Sequence, residues 1–310
     1  MTDICVTGAG AAGLTAAIYA RRAGHSVVVF EKSVPGGQLT SAADVENYPG
    51  TGKIGGADLA MKMFEQAAEQ GADVRFEEIT RLELSGKTKK IVTPSGETEA
   101  RAVIFAGGAK RRLLGCPGEE RLTGRGVSYC ATCDGAFFKG KTVAVVGGGN
   151  TALEDALYLA NLCEKVYLIH RREEFRGDAV LADACRQNEK IELVLGAQVN
   201  EIYGEAAVEG IKVTCRSDVM STTGGTTPPL REIELDGVFI AIGLTPDTGI
   251  LDGQIEMDEG YILAGEDCVT NIPGVFAAGD CRQKHLRQII TACADGANAA
   301  FSAGAYLLGV

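Results

Sequence analysis

Ile4-Cys5-Val6-Thr7-Gly8-Ala9-Gly10-Ala11-Ala12-Gly13 and Val143-Ala144-Val145-Val146-Gly147-Gly148-Gly149-Asn150-Thr151-Ala152 follow one pattern. Each starts as an apolar run the length of a buried strand, turns through closely spaced glycines and opens a helix. Laying Ile4 to Lys32 over Val143 to Arg171 holds a constant offset. The helical spacing is carried by Leu14, Ala17, Ile18 and Arg21 in the first copy and by Leu153, Ala156, Leu157 and Ala160 in the second. A second strand follows in each, over 26–30 and 165–169. Two βαβ units therefore stand in one chain. A glycine turn between strand and helix lets backbone N–H groups approach a diphosphate, and this context turns a weak glycine pattern into a dinucleotide site. The phosphate-facing candidates are Gly8, Gly10, Ala11 and Gly13 in the first copy, and Gly147, Gly149, Asn150 and Thr151 in the second.

The residue that ends the second strand reaches the adenosine ribose. In the first copy it is Glu31, a carboxylate that accepts from ribose hydroxyls and repels a 2′-phosphate, so this site suits FAD or NAD. The aligned position in the second copy holds His170-Arg171-Arg172, with Arg176 a turn later. Cations at the one place where NADP differs from NAD, in a chain of net charge -11, favour NADPH over a merely solvated basic turn.

The same negative charge gives no electrostatic support to a nucleic-acid or anionic membrane partner. The start, Met1-Thr2-Asp3, carries no basic leader, and no apolar run approaches about 20 residues, so a cytoplasmic protein is expected. Between the two copies, 53–70 has a helical pattern, and 74–76, 81–84 and 90–93 are expected to form a small β layer. A similar β region is expected over 191–195, 210–214 and 233–235, with a hairpin loop at 222–229. Gly274 to Asp280 reads as a buried strand ending in an acid, where ligands sit in parallel sheets, and 288–308 as a core-covering helix.

Of ten cysteines, eight are scattered (Cys5, Cys116, Cys163, Cys185, Cys215, Cys268, Cys281 and Cys293) and read as buried small hydrophobes. Cys130-Ala131-Thr132-Cys133 is a pair. The spacing closes a small disulfide ring whose thiolate is a nucleophile in exchange. A structural zinc site would need a second Cys or His pair at short spacing, which the chain lacks, so no metal is expected. Asp134, directly after the pair, is either a general acid for the exchange or a plain surface carboxylate.

These residues closely resemble the low-molecular-weight, bacterial-type NADPH-dependent thioredoxin reductases. The resemblance runs through Gly8-x-Gly10-x-x-Gly13, Gly36-Gly37-Gln38-Leu39, Asn47-Tyr48-Pro49-Gly50, Cys130-Ala131-Thr132-Cys133-Asp134-Gly135, Gly147-x-Gly149-x-x-Ala152, His170-Arg171-Arg172-x-x-x-Arg176, Gly279-Asp280 and Arg287-Gln288. It implies an α/β chain of two Rossmann-like three-layer domains, the second inserted into the first. The FAD domain would span 1–112 and 244–310, and the NADPH and disulfide domain 113–243. It implies that Glu31, Gly36, Gly37, Gln38, Asn47, Asp280, Arg287 and Gln288 contact FAD, with Lys32, Leu39, Ala106, Gly107, Gly279 and Ile289 alongside. Arg171, Arg172 and Arg176, next to His170, would clamp the NADPH 2′-phosphate. By the same likeness Cys133 faces the flavin, Cys130 attacks the partner disulfide, and Asp134 exchanges the proton. The acceptor would be thioredoxin or a thioredoxin-like dithiol protein, and the enzyme a homodimer. The inserted domain would rotate near 112–116 and 242–246 between half-reactions.

One stretch departs from the pattern: Cys281 stands where an apolar residue is usual, and Arg282-Gln283-Lys284 continues a more polar turn. It is read as neutral, or as an oxidation-sensitive thiol near the flavin. The rival readings are the same scaffold acting on a glutaredoxin-like protein, a peroxidase partner or oxygen, and a ferredoxin-driven relative. The last has no need of the second glycine turn and the arginines. A nucleotide-sensing module without catalysis has no need of the Cys pair.

Overall fold

The computed structural model describes residues 1–42, 44–215 and 230–310, and the hairpin expected at 222–229 lies outside them. The fold begins with β1 (Thr2–Thr7), α1 (Ala11–Arg22) and β2 (Val27–Glu31). Ile4, Cys5, Val6 and Val29 are fully buried, as the near-continuous apolar runs of a doubly covered parallel sheet require. β1 and β2 are parallel, with Ile4 opposite Val27 and Thr7 opposite Phe30. α2 (Gly56–Glu69) buries Leu59, Ala60, Met63 and Ala67 along one stripe.

β3 (Asp73–Phe76) then joins β2 in parallel at the sheet edge. β4 (Arg81–Glu83), β5 (Lys89–Thr93) and β6 (Gly96–Phe105) follow, and the order is β3-β2-β1-β6-β5-β4. The expected separate β layer is thereby corrected. Residues 74–76 extend the parallel sheet on one side, and 81–83 and 89–93 extend it on the other. The ten-residue β6 makes this possible: its first half pairs antiparallel with β5, and its second half parallel with β1.

The chain divides into two compact units, Met1–Lys110 with Thr245–Val310 and Arg111–Leu244. It crosses in β7 (Ala109–Arg111) and returns later in β16 (Leu244–Pro246), two short strands that pair with each other. The second unit contains α3 (Glu119–Leu122), β8 (Val127–Ser128), α4 (Ala131–Asp134), β9 (Thr142–Val146), α5 (Asn150–Ala160), β10 (Lys165–Ile169), α6 (Ala179–Gln187) and β11 (Ile191–Val194). β12 (Ala197–Tyr203), β13 (Gly210–Cys215) and β14 (Arg231–Glu234) form an antiparallel sheet, and β15 (Gly237–Ile240) returns to the parallel one, ordered β11-β10-β9-β15-β8. Residues 191–194 thus belong to the parallel sheet and not to the expected β region. Val166 opposite Ile191 continues the buried ladder, whereas 197–203, unread in the sequence, supplies the third antiparallel strand.

Back in the first unit, β17 (Met257–Asp258) and β18 (Tyr261–Ile262) form a small ribbon, β19 (Val275–Ala277) lies parallel beside β6, and α7 (Ile289–Leu308) closes the chain. α7 packs on α1 at backbone distance, since a Cβ on Gly296 would collide with the Ala12 carbonyl oxygen.

Lys89 is 1% exposed, and its ammonium donates to the carbonyls of Leu84 (2.8 Å), Gly86 (2.7 Å) and Pro273 (2.8 Å). It pins the β4–β5 turn to the segment that enters β19, at the cost of burial that lowers its pKa. Lys89→Met leaves three carbonyls without their donor. It should lower stability by about 2–4 kcal/mol, read as a lower urea midpoint, and an unchanged midpoint would contradict the pin.

Candidate functional site

In the first glycine turn each glycine answers a different constraint. Gly8 has φ +91°, and a Cβ there would come within 2.5 Å of the Ala106 carbonyl oxygen. At Gly13 a Cβ would collide with the Gly8 carbonyl oxygen. Gly10 differs: its φ is -77°, and nothing lies within 4 Å of where a Cβ would stand. The protein itself does not need Gly10 to be small, so the open space is fit for a ligand. Gly10 is also the N-cap of α1. No side chain caps the helix and no acid occupies its first turn, so the N–H groups from Ala11 onward are available to an anion.

Several of this unit's other candidates pack on the turn or on α1 behind it. Glu31, 9% exposed, accepts from Ala9 N (2.9 Å) and Ser33 N (3.0 Å), which fixes its carboxylate at the end of β2. Gly36 N donates to Ala9 O at 2.6 Å, and Gly36 (φ +110°) and Gly37 (φ +56°) adopt conformations that L side chains rarely take. Leu39 is buried, the Gln38 amide donates to the Ala109 carbonyl, and Lys32 pairs with Asp247 at 3.1 Å. Ala106 N donates to Thr7 O, and a side chain on Gly107 would press on Phe105 and the Asp247 carbonyl. Gly279 lies against Ala12, and Asn47 Nδ2 donates to Gln288 Oε1 at 3.1 Å, directly before Ile289 opens α7.

Two buried polar atoms here lack a protein partner, Asp280 Oδ1 and Arg287 Nε. Burial pushes the Asp280 carboxyl up, while Lys284 and Arg287 pull it down. The Arg287 guanidinium lies 4.3 Å from the Tyr261 ring centre, a partner the sequence reading missed because no spacing pattern marks it. An acceptor and a donor left unsatisfied beside an open glycine turn fit a ligand rich in hydroxyl and phosphate oxygens, as a flavin dinucleotide is.

In the second unit, Gly147 keeps β9 close to the Ala241 carbonyl, while Gly149, N-cap of α5, again has nothing within 4 Å of a Cβ position. α5 likewise has neither a side-chain cap nor an acid in its first turn. The Asn150 side chain is tied to Asp178 by bonds of 3.0 and 2.7 Å, and Thr151 is exposed on the first turn. Arg176 N donates to Gly148 O at 2.7 Å, bringing that residue back to the turn, and Arg171, Arg172 and Arg176 are exposed. His170 is different. It is 5% exposed, stacks on Phe175, and fills the space a side chain on Gly148 would need. Burial first, and then the charge of Arg176, lower its pKa, with Arg172 and Arg171 adding to this against a backbone hydrogen bond at Glu174.

Cys130 and Cys133 form a disulfide with Cα atoms 5.3 Å apart, at the start of α4. Cys133 is exposed and Cys130 half-buried. Asp134 Oδ2 accepts from Ser128 Oγ at 2.6 Å, and the same oxygen of Ser128 accepts from Cys130 N at 3.1 Å. Burial raises the Asp134 pKa, against the Ser128 hydrogen bond and the charge of Arg111. Arg111 lies 5.0 Å from the ring centre of Tyr129, whose hydroxyl donates to the buried Glu119 at 2.9 Å. Ser128, Arg111, Tyr129 and Glu119 also escaped the sequence reading, since none stands in a motif of its own. Of the eight other cysteines, Cys5, Cys163, Cys185, Cys268, Cys281 and Cys293 are buried, and Cys116 and Cys215 are half-buried. Among the described residues no group of three or more His, Cys, Asp or Glu is placed to hold a metal, and no helix is long and apolar enough to cross a membrane.

Residues 2–296 match the family described as pyridine nucleotide-disulphide oxidoreductase. Over 307 residues the chain is 45% identical to a thioredoxin reductase of Listeria monocytogenes, covering 98% of this chain and 93% of that protein. It is 44% identical to one from Bacillus subtilis, with 98% and 94% covered. The crystal structure of thioredoxin reductase from Streptococcus pyogenes matches at TM-score 0.92 and 41% identity, over 100% of this chain and 99% of that one.

The glycine geometry makes a discriminating prediction. Gly10→Ala meets open space and should leave the melting temperature of the ligand-free protein within about 2 °C, while lowering dinucleotide uptake about tenfold or more. Gly13→Ala meets the Gly8 carbonyl and should destabilise the fold itself. Equal melting temperatures for the two variants would refute the assignment.

Proposed function

The chain belongs to the thioredoxin reductases of the pyridine nucleotide-disulphide oxidoreductase family, and from that premise we propose that NADPH reduces FAD, which reduces the Cys130–Cys133 disulfide, which in turn reduces oxidised thioredoxin. The protein is a flavoprotein disulfide oxidoreductase that uses a flavin and a pyridine nucleotide. The observation that carries the finer reading is the disulfide itself, followed at once by a half-buried acid that is hydrogen-bonded to Ser128.

FAD is assigned to the first unit, held at Gly8, Gly10, Ala11 and Gly13, at Glu31, at the Gly36–Leu39 turn and at Asp280, Arg287 and Gln288. NADPH is assigned to the second, with Gly147, Gly149, Asn150 and Thr151 at the diphosphate and Arg171, Arg172 and Arg176 at the 2′-phosphate. His170, buried beneath Gly148 with its Nε2 lacking a protein partner, is assigned to the same site. When bound, the flavin supplies the relay that turns a hydride from nicotinamide into an electron pair for a disulfide.

With two electrons and two protons the Cys130–Cys133 bond opens to a dithiol. Cys130 as thiolate then attacks one sulfur of the thioredoxin disulfide, and the other leaves as a thiolate that takes a proton. Cys133 as thiolate attacks Cys130 Sγ, which re-forms the internal disulfide and expels reduced thioredoxin. Asp134 takes the proton as a cysteine becomes nucleophilic and returns it to the leaving thiolate. Its raised pKa suits both directions better than an ordinary carboxyl would. Cys133 is assigned to the flavin side and Cys130 to the partner side. The two roles alternate by rotation of the inserted unit about β7 and β16. A cytoplasmic homodimer completes the reading.

Three outcomes test it. Cys130→Ser or Cys133→Ser should abolish NADPH-dependent thioredoxin reduction. Arg171→Ala and Arg176→Ala should each raise KM for NADPH about tenfold while leaving that for NADH within about twofold. Equal effects on both nucleotides would contradict the 2′-phosphate assignment. Ser128→Ala removes the bond that favours the Asp134 carboxylate, so the proton is held to higher pH. The acid limb of the pH profile for thioredoxin reduction should therefore move upward, and an unmoved limb would remove Asp134 from proton transfer.

A further inference from the structure

Cys281-Arg282-Gln283-Lys284, the stretch that departs from the family pattern, turns three of its four side chains inward. Cys281 is fully buried and its thiol faces the carbonyls of Ala278 (3.3 Å) and Phe105 (3.6 Å). Gln283 is exposed and donates to Asp258. Arg282 and Lys284 turn inward to one acid, Asp295, in the second turn of α7. Asp295 Oδ1 accepts from Arg282 Nη2 at 2.6 Å, and Oδ2 accepts from Arg282 Nε (2.8 Å), Lys284 Nζ (2.8 Å) and Gly279 N (2.9 Å). The side chains of Arg282, Lys284 and Asp295 are only 12%, 7% and 5% exposed.

Burying three charges is expensive, and well-packed apolar residues would stabilise the fold as well, so what such a cluster supplies is a fixed geometry. Here the geometry is that of the turn Gly279–Cys281. Asp295 grips its first residue by the backbone and grips its far side through Arg282 and Lys284. The acid of this turn is Asp280, whose Oδ1 is buried without a partner; burial pushes its carboxyl up, Lys284 and then Arg287 pull it down, and Asp295 pushes it up.

We propose that Asp295 is a positioning residue for the flavin, fixing the Gly279–Cys281 turn through Gly279 N, Arg282 and Lys284 so that Asp280 Oδ1 is left for a cofactor hydroxyl. This rests on the assignment of Asp280 to FAD. Cys281 then belongs to the core of that turn as a packed sulfur.

The test is the affinity of the flavin-stripped full chain for FAD, followed by quenching of FAD fluorescence, with the melting temperature of the stripped protein measured alongside. Lys284→Gln keeps a donor for Asp295 but loses the positive charge that lowers the Asp280 pKa. Its Kd for FAD should rise at least fivefold, which is about 1 kcal/mol, with the melting temperature within about 2 °C of the parent. Lys284→Arg should restore the Kd. Asp295→Asn should weaken FAD further and also lower the melting temperature, because it strands two buried cations. A smaller rise for Lys284→Gln, or a rise matched by an equal loss in Lys284→Arg, overturns the inference, as does a Lys284→Gln protein that melts well below the parent. A parent chain that takes up no FAD overturns the flavin assignment and this inference together, whereas a parent that binds FAD beside unaffected variants overturns this inference alone.

Discussion

In both units a strand hands over to a helix through a turn so tight that neighbouring backbone occupies the place of a side chain. At Gly8 the obstacle is the Ala106 carbonyl, at Gly13 the Gly8 carbonyl, and at Gly147 the Ala241 carbonyl. These contacts press the turn against the strand beside it and leave the helix N-terminus bare on the remaining side. Gly10 and Gly149 face that open side, and in the first unit Glu31, the Gly36–Gly37 turn and Gly279 are located by contact with the same turn or with α1 behind it. Remove the close approach, and Glu31 and the acid of the Gly279–Cys281 turn lose their common reference.

Charge is arranged locally against an acidic background. The net charge of -11 offers no general attraction to a nucleotide, so each proposed anion site depends on a positive end of its own: an uncapped helix start in both units, with arginines at 171, 172 and 176 in the second. Sulfur is sorted in the same way. Burial drives the thiols of Cys268 and Cys281 up to about 12, which silences them as nucleophiles, whereas Cys130 and Cys133 sit at an accessible helix start with an acid alongside. Of the ten cysteines, only Cys130 and Cys133 are joined in a disulfide among the described residues.

Much of this was readable in the sequence because it is periodic or punctuated. The repeated strand–glycine–helix pattern located β1–α1–β2 and β9–α5–β10, and the Cys-x-x-Cys spacing located the disulfide. What escaped was set by register and by contacts distant in sequence. Residues 74–76 and 191–194 alternate too weakly to reveal that they join parallel sheets, a fact decided by the strand lying beside them. His170 looked like one of a basic cluster because sequence shows charge and not depth, and its ring lies under Gly148. Arg282 and Lys284 read only as part of a more polar turn, since their acid lies on a helix that only the fold brings near. Ser128 beside Asp134 was invisible for the same reason, the contact being a property of how β8 enters α4.

The proposed function makes the two glycine turns and the disulfide one electron path. Its most direct test is an anaerobic titration of the purified yellow protein with NADPH, followed in the visible flavin band, with oxidised thioredoxin added at the end. NADPH at low concentration should bleach the band, and thioredoxin should return the colour. Absence of bleaching by NADPH would contradict the nucleotide assignment, and bleaching with no return would contradict thioredoxin as the acceptor.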